Sequence, residues 1–328
     1  MGGDFGPEVT IPAALTALAK HPGISMILVG DEELMQPLLA KHGLTNDPRI
    51  TLLHTSQQVE MDDKPSVALR SRRESSMRFA INMVKEQRAS AAVSAGNTGA
   101  LMAIARFVLK TLPGIDRPAI CGAIPGVNGK THMLDLGANV DSSSEELFRF
   151  AVMGSVLASA IDGKESPTVA LLNIGEEEIK GNDRVKQTAL LLENSALNYH
   201  GFVEGGDIFK AVVDVVVCDG FVGNVALKSS EGAAHMLVDM AKEEFTRSWW
   251  RKFGALCARP ALTATRNRAD PRRYNGASLL GLRGIVVKSH GGADALSFAS
   301  AIDVAVAEIE SDIPTRINDR LEEFLVES

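Results

Sequence analysis

The chain is short of the features that define several common kinds of protein. Cysteine occurs three times in 328 residues, at Cys121, Cys218 and Cys257, far apart. That spacing makes neither a disulfide framework nor a zinc site, and it suits a reducing compartment. Aromatic residues make up 5%, too few for stacking to be the main means of recognition. No apolar run approaches the roughly 20 residues of a spanning helix, and no signal peptide is visible. Positive charge is in deficit: the formal net charge is −7, which argues against wholesale nucleic-acid binding. Neither GxGxxG nor GxxxxGK[ST] occurs, and no Ser-His-Asp or Cys-His pattern sits in a nucleophile turn. Gly129-Lys130-Thr131 in "GVNGKTH" has the last letters of a P-loop. It precedes a strand instead of following one, and reads as a β-turn. No residue set has metal-ligand spacing, so no metal is expected.

What is present is 45% apolar residues, ample for a large core, in a repeating order of β-branched run, Gly-rich turn and amphipathic helix. "ISMILVGD" (24–31), "ITLLH" (50–54), "AAVS" (91–94), "HMLDLGANV" (132–140), "TVALLNIG" (168–175), "DVVVCDG" (214–220) and "GIVVKSHGG" (284–292) read as strands with their turns. Helices are expected near 32–41 and 75–87, from the turn after Ser94 to about Lys110, and from about Ser144. Such alternation predicts an α/β fold with a doubly wound, largely parallel sheet and right-handed crossovers. The segment 245–275 differs. It holds Arg247, Arg251, Lys252, Arg259, Arg266, Arg268, Arg272 and Arg273 against one acid, Asp270, with Trp249 and Trp250. It reads as a helical basic excursion, either a solvated face or a docking surface.

In open α/β sheets ligands bind beyond the carboxyl ends of the strands. The candidates are therefore Asn97, Thr98 and Gly99; Asp135 and Asn139; Asn173 with Glu176 to Lys180; Asp219 and Asn224; Lys288 and His290. The opening "MGGDFGP" adds Gly2, Gly3 and Asp4. Glycines let backbone amides approach an anion, and helix starts add partial positive charge. The turns are expected to be parts of a polar pocket able to hold an anion. Lys180, after three acids, is either salt-bridged or held near a substrate oxyanion. His290 is a general acid or base, or a capping residue. Cys218 reads as core.

The stretches "MGGDFGP", "SAGNTGALM", "DRPAI", "LDLGANVD", "LLNIGEEEIKG", "VCDGFVGNVALKSSEG" and "YNGASLLGLRGIVVKSHG" resemble, in that order and over nearly the whole chain, the bacterial phosphate acyltransferases of phospholipid synthesis, the PlsX family. In that family an apolar strand precedes the first motif, whereas this chain begins at the motif. The resemblance implies one Rossmann-like α/β acyltransferase domain over 1–328, similar to isocitrate and isopropylmalate dehydrogenases, with a helical arm at about 232–275. It implies transfer of a fatty acyl group from acyl carrier protein to inorganic phosphate without a cofactor. It further implies a homodimer in the cytoplasm, touching the anionic inner face of the membrane. Lys180, Asn224 and His290 are then the expected catalytic residues. Gly2, Gly3, Asp4, Asn97, Thr98, Gly99, Asp135, Asn139 and Asp219 are expected at the substrate. Arg247, Trp249, Trp250, Arg251 and Lys252 are expected at the carrier protein or lipid. Two other readings are an NAD-dependent hydroxy-acid dehydrogenase of related fold, and a membrane scaffold with a degenerate pocket.

Overall fold

The computed structural model describes residues 1–326. The first third contains α1 (Pro7–Lys20), β1 (Met26–Gly30), α2 (Glu32–Lys41), β2 (Ile50–His54), α3 (Pro65–Ser71), α4 (Ser76–Lys85), β3 (Ala91–Ser94) and α5 (Thr98–Leu109). The middle contains β4 (Ala119–Gly126), β5 (Gly129–Leu134), α6 (Ser144–Asp162), β6 (Thr168–Leu172), α7 (Asp183–Glu193), β7 (Asn198–Val203), α8 (Gly205–Ile208) and β8 (Val215–Val217). Then come α9 (Gly220–Thr246), α10 (Trp249–Cys257), α11 (Arg259–Ala269), a 3₁₀ turn (Pro271–Tyr274), β9 (Ala277–Leu280), β10 (Ile285–Lys288), α12 (Ala295–Glu310) and α13 (Ile313–Val326). Local chemistry sets many of the helix starts. Asp31, Ser75, Asn97, Asp219 and Asp294 each cap a helix by accepting a first-turn N–H. Ser143 and Glu146 form a reciprocal capping box at α6, which ends at Gly163 in the left-handed region.

β1 and β2 form a separate parallel pair, and the other strands form one sheet in the order β3-β10-β9-β4-β5-β8-β6-β7. Among the described strand pairs five are parallel and three antiparallel, so the sheet content is mostly parallel as expected. The exceptions lie together: β9 is antiparallel to β10 and to β4, and β4 is antiparallel to β5. The β4–β5 hairpin turns at Val127-Asn128, and Gly129, at φ 146°, opens β5 opposite Gly126. Three successive reversals make β5, β8, β6 and β7 run opposite to β3 and β10. Alternation then puts neighbours on opposite faces. Val215 and Val217 pack with Phe150, Met153 and Leu157 of α6, whereas Val216 packs with Ile120, Met133 and Leu227 of α9. Val286 meets Ile104 of α5, and Ile285 and Val287 meet Ala301 and Ala305 of α12. One sheet face therefore carries α4 and α5 over one half and α9 over the other.

The expected basic excursion is helical. α9 is 27 residues long, and Met236, Leu237, Val238 and Met240 on its outer half are exposed. No helix among the described residues is long and apolar enough to cross a membrane.

Candidate active site

Asp135 has 0% exposure and is enclosed by donors. Its Oδ1 accepts from the N–H groups of Ile120 (2.9 Å), Ala138 (3.0 Å) and Gly137 (3.2 Å). Its Oδ2 accepts from the Asn139 N–H (2.6 Å) and from Asn139 Nδ2 (2.9 Å). Burial pushes the carboxyl up, against the pull of these hydrogen bonds. Asn139, also buried, spends its other amide proton on the Pro118 carbonyl at 2.9 Å. Asp135 and Asn139, expected at the substrate, are thus engaged inside the protein through both Asp135 oxygens and both Asn139 amide protons. They shape the loop on which α9 begins. Gly220 N–H donates to the Asn139 carbonyl at 2.8 Å, and a Cβ at Gly223 would collide with the Asp135 carbonyl. Asp219 is likewise engaged, capping α9 through the Val222 N–H at 2.8 Å.

The close approach at Gly223 presents the next residue, Asn224, beside Gly137 on the exposed surface of the first α9 turn. β6 adjoins β8, so the loop after β6 opens on the same sheet edge. There Lys180 Nζ pairs with Glu177 Oε2 at 2.7 Å, both largely exposed. That pairing, with the more distant Glu204, holds the amine above its ordinary value. Asn173 Nδ2 donates to the Lys180 carbonyl at 3.3 Å and closes the loop. The loops that carry Lys180 and Asn224 thus open at the same end of the sheet, on neighbouring strands.

The remaining expected residues do not lie at that end. Because the sheet reverses, the turns after β3 and β10 open at the opposite end of the sheet. Here three glycine-bearing segments converge. Asp4 N–H donates to the Gly291 carbonyl at 2.9 Å, and Ser289 N–H to the Ser94 carbonyl at 2.8 Å. Gly3, at φ 76°, leaves no room for a side chain against Ala95 and Gly291. Gly2 lies against Gly96, and Gly99 against Pro65. Thr98 is exposed at the start of α5. Asn97 is a clamp: its Nδ2 donates to the Met61 (2.8 Å) and Asp63 (3.0 Å) carbonyls while Oδ1 caps Ala100. His290 is exposed, and its Nδ1 accepts from the Gly292 N–H at 3.1 Å, which leaves Nε2 to carry the proton.

Two further residues, to which the sequence reading assigned no role, adjoin these groups. Asn275 Nδ2 donates to Ser289 Oγ and to the Ser297 carbonyl, both at 2.8 Å, and its Oδ1 accepts from the His290 N–H. It fixes the turn after β10. Lys228 follows Asn224 by four residues on α9, and its charge acts on Lys288 at the end of β10. The signal for it was the i,i+4 spacing in "NVALK", invisible without knowing which way α9 crosses the sheet.

A sequence profile described as "Fatty acid synthesis protein" matches residues 1–316. A phosphate acyltransferase from Nitrosococcus oceani is 59% identical over 327 residues, covering 100% of this chain and 96% of the relative. One from Methylococcus capsulatus is 58% identical over 321 residues, covering 98% and 95%. The chain belongs to this family. Among solved structures, a phosphotransacetylase from Streptococcus pyogenes superposes with a TM-score of 0.61 at 19% identity, covering 93% of this chain and 92% of that one. That likeness concerns the fold, which is Rossmann-like α/β. The two longest stretches that carry the resemblance lie over β8–α9 and β9–β10, which border the two groups of loops described above.

Proposed function

We propose that the chain transfers a fatty acyl group from acyl carrier protein to inorganic phosphate, yielding acyl phosphate and the free carrier thiol, for phospholipid synthesis. The reading rests on the family match over the whole chain. The observation that carries its chemistry is the position of Lys180 and Asn224 at the same end of the sheet, one cation and one neutral amide donor on loops from neighbouring strands. A phosphate oxygen attacks the thioester carbonyl carbon, and the carbonyl pair moves onto oxygen. Collapse of the tetrahedral species breaks the C–S bond, and the sulfur leaves with the electron pair and takes a proton. Phosphate is already an anion, so no enzyme nucleophile is needed. The protein has to orient the reactants and stabilise the oxyanion. Lys180 and Asn224 fit the oxyanion task.

The arm from about 232 to 275 is assigned to docking. Stacked Trp249 and Trp250, ring centroids 3.6 Å apart and each 65% exposed, sit with exposed Phe253 and Leu256 on α10. Such a helix suits an anionic membrane surface, and the exposed outer half of α9 suits a second copy of the chain. The deciding experiment incubates the purified chain with acyl-loaded carrier protein and phosphate, and follows acyl phosphate by phosphorus NMR or mass spectrometry. Product that requires both substrates supports the reading. Carrier release without acyl phosphate, or no turnover, overturns it.

A further inference from the structure

Lys288 is 8% exposed at the carboxyl end of β10, the strand between β3 and β9. It follows Val286 by two residues, so it points to the sheet face that carries α5 and α9. Its ladder partner on β9 is Ala277, which packs into the core cluster that receives Leu227 of α9. The side chain therefore emerges where the α5 half and the α9 half of that face meet.

The Lys288 amine donates to the carbonyl oxygens of Ala95, at 3.3 Å, and Ser289. Those carbonyls satisfy N–H groups but carry no net charge. Asp4 is the carboxylate whose charge acts on the amine, and the Lys228 ammonium acts on it with the opposite sign. Lys228 pairs with Glu231 at 2.8 Å, an exposed pair within one helix and therefore weak. Burial, reinforced by Lys228, lowers the Lys288 amine to about 8. Leu227, the neighbour of Lys228, packs in the cluster that holds Ala277, the ladder partner of Lys288, so two cations share this part of the sheet face, one of them almost out of water, beside the turns of Gly2, Gly96 and Gly291, where Met61, Met77 and the Asp4 carboxylate also lie.

We propose that Lys288 and Lys228 together bind the phosphate substrate, a site separate from the Lys180 and Asn224 loops. This deepens the acyltransferase reading and rests on it for the identity of the anion. A tetrahedral dianion near the two ammonium groups adds to the counter-charge that Asp4 alone supplies to the buried lysine. Lys228 lies about 6 Å along α9 from Asn224, so a phosphate held there stands one helical turn from the amide assigned to the oxyanion.

The test measures binding of inorganic phosphate to the full chain by calorimetry, with no acyl donor present, for the wild type, Lys288→Met and Lys228→Met. Circular dichroism establishes that each is folded. Lys288→Met is expected to weaken phosphate binding by roughly tenfold or more, and Lys228→Met by a smaller factor. In turnover, KM for phosphate rises in both variants while KM for the acyl carrier substrate is unchanged. If Lys288 only braces the turns through Ala95 and Ser289, stability falls and phosphate affinity stays within about twofold of wild type, which overturns the proposal. Should Lys288→Met not fold, the exposed Lys228→Met decides by the same criterion. A wild-type chain that does not bind phosphate also overturns it. A wild type that binds phosphate through both lysines yet makes no acyl phosphate keeps this site and removes the acyltransferase reading.

Discussion

Asn139 Nδ2 donates to Asp135 Oδ2 at 2.9 Å, beneath the first turn of α9, and neither side chain reaches solvent. The pair converts one carboxylate into the organiser of a loop, since four backbone N–H groups also point at it. Asp135→Asn keeps the shape but replaces one acceptor oxygen with a donor, leaving backbone donors unpaired. Hydrogen bonds to a charged group contribute about 1.5–3 kcal/mol each, so a loss of about 3 kcal/mol in stability is expected. Urea unfolding checks it. A variant as stable as the wild type would mean that the carboxylate does not organise the loop.

Removing either donor, Lys180 or Asn224, should leave that loop intact. Lys180→Ala breaks an exposed pair with Glu177, and Asn224→Ala trims an exposed side chain, so both variants should melt near the wild-type temperature. Each should lower kcat by about 10²–10³, the usual cost of an oxyanion donor. Steady-state kinetics on the folded variants decide. Near-normal kcat in both would move the oxyanion site elsewhere.

Much of this fold was legible in the sequence. β2 and β3 coincide with "ITLLH" and "AAVS", and α2 and α6 begin where capping residues announce them. Those signals are local: a periodicity, a cap, a turn dipeptide. The reversal of strand direction was not local. The "GVNGKTH" turn was recognised, but that β9 lies between β10 and β4 depends on long-range pairing that no short pattern encodes. For the same reason the candidate residues were collected in principle but not in place. Asp135 and Asn139 look alike as ligand or scaffold until their hydrogen-bond partners are seen, and the approach of Lys228 to Lys288 depends on the path of α9.

Glu308 is expected to give the chain a pH-dependent stability. It lies fully inside the protein on α12, with Oε2 accepting from Ser278 Oγ at 3.0 Å and Oε1 without a hydrogen-bond partner. Burial raises the carboxyl from 4.5 to about 8. A folded value above the unfolded one means that the folded state holds the proton longer. The contribution to stability is therefore full below about pH 4.5 and is lost as pH rises toward 8. Glu308→Gln keeps a neutral side chain at every pH and should remove that slope, so that it exceeds the wild type in stability near pH 8. Denaturant titrations from pH 5 to about 8 test the linkage. Parallel slopes for the two proteins would show that Glu308 is not the group responsible.

The basic arm makes the last prediction, and its charges are not all available. Arg247 and Arg251 both pair with Glu244, the former at 2.9 Å, so this part of the arm presents less positive charge than the run "RSWWRK" suggests. Lys252 adds to it from α10. Each basic residue near an anionic bilayer contributes about 1 kcal/mol, and apolar burial of Trp249 and Trp250 adds to that. Arg251→Glu with Lys252→Glu should weaken binding to phosphatidylserine-containing vesicles by roughly tenfold or more, and added salt should diminish the difference. Trp249→Ala with Trp250→Ala should weaken binding at every salt concentration, because burial of apolar surface is not screened. Vesicle co-sedimentation at two ionic strengths separates the two contributions. If neither double variant changes the bound fraction, the arm is not the membrane contact. If the charge variant instead raises KM for acyl carrier protein, the same surface receives the acidic carrier.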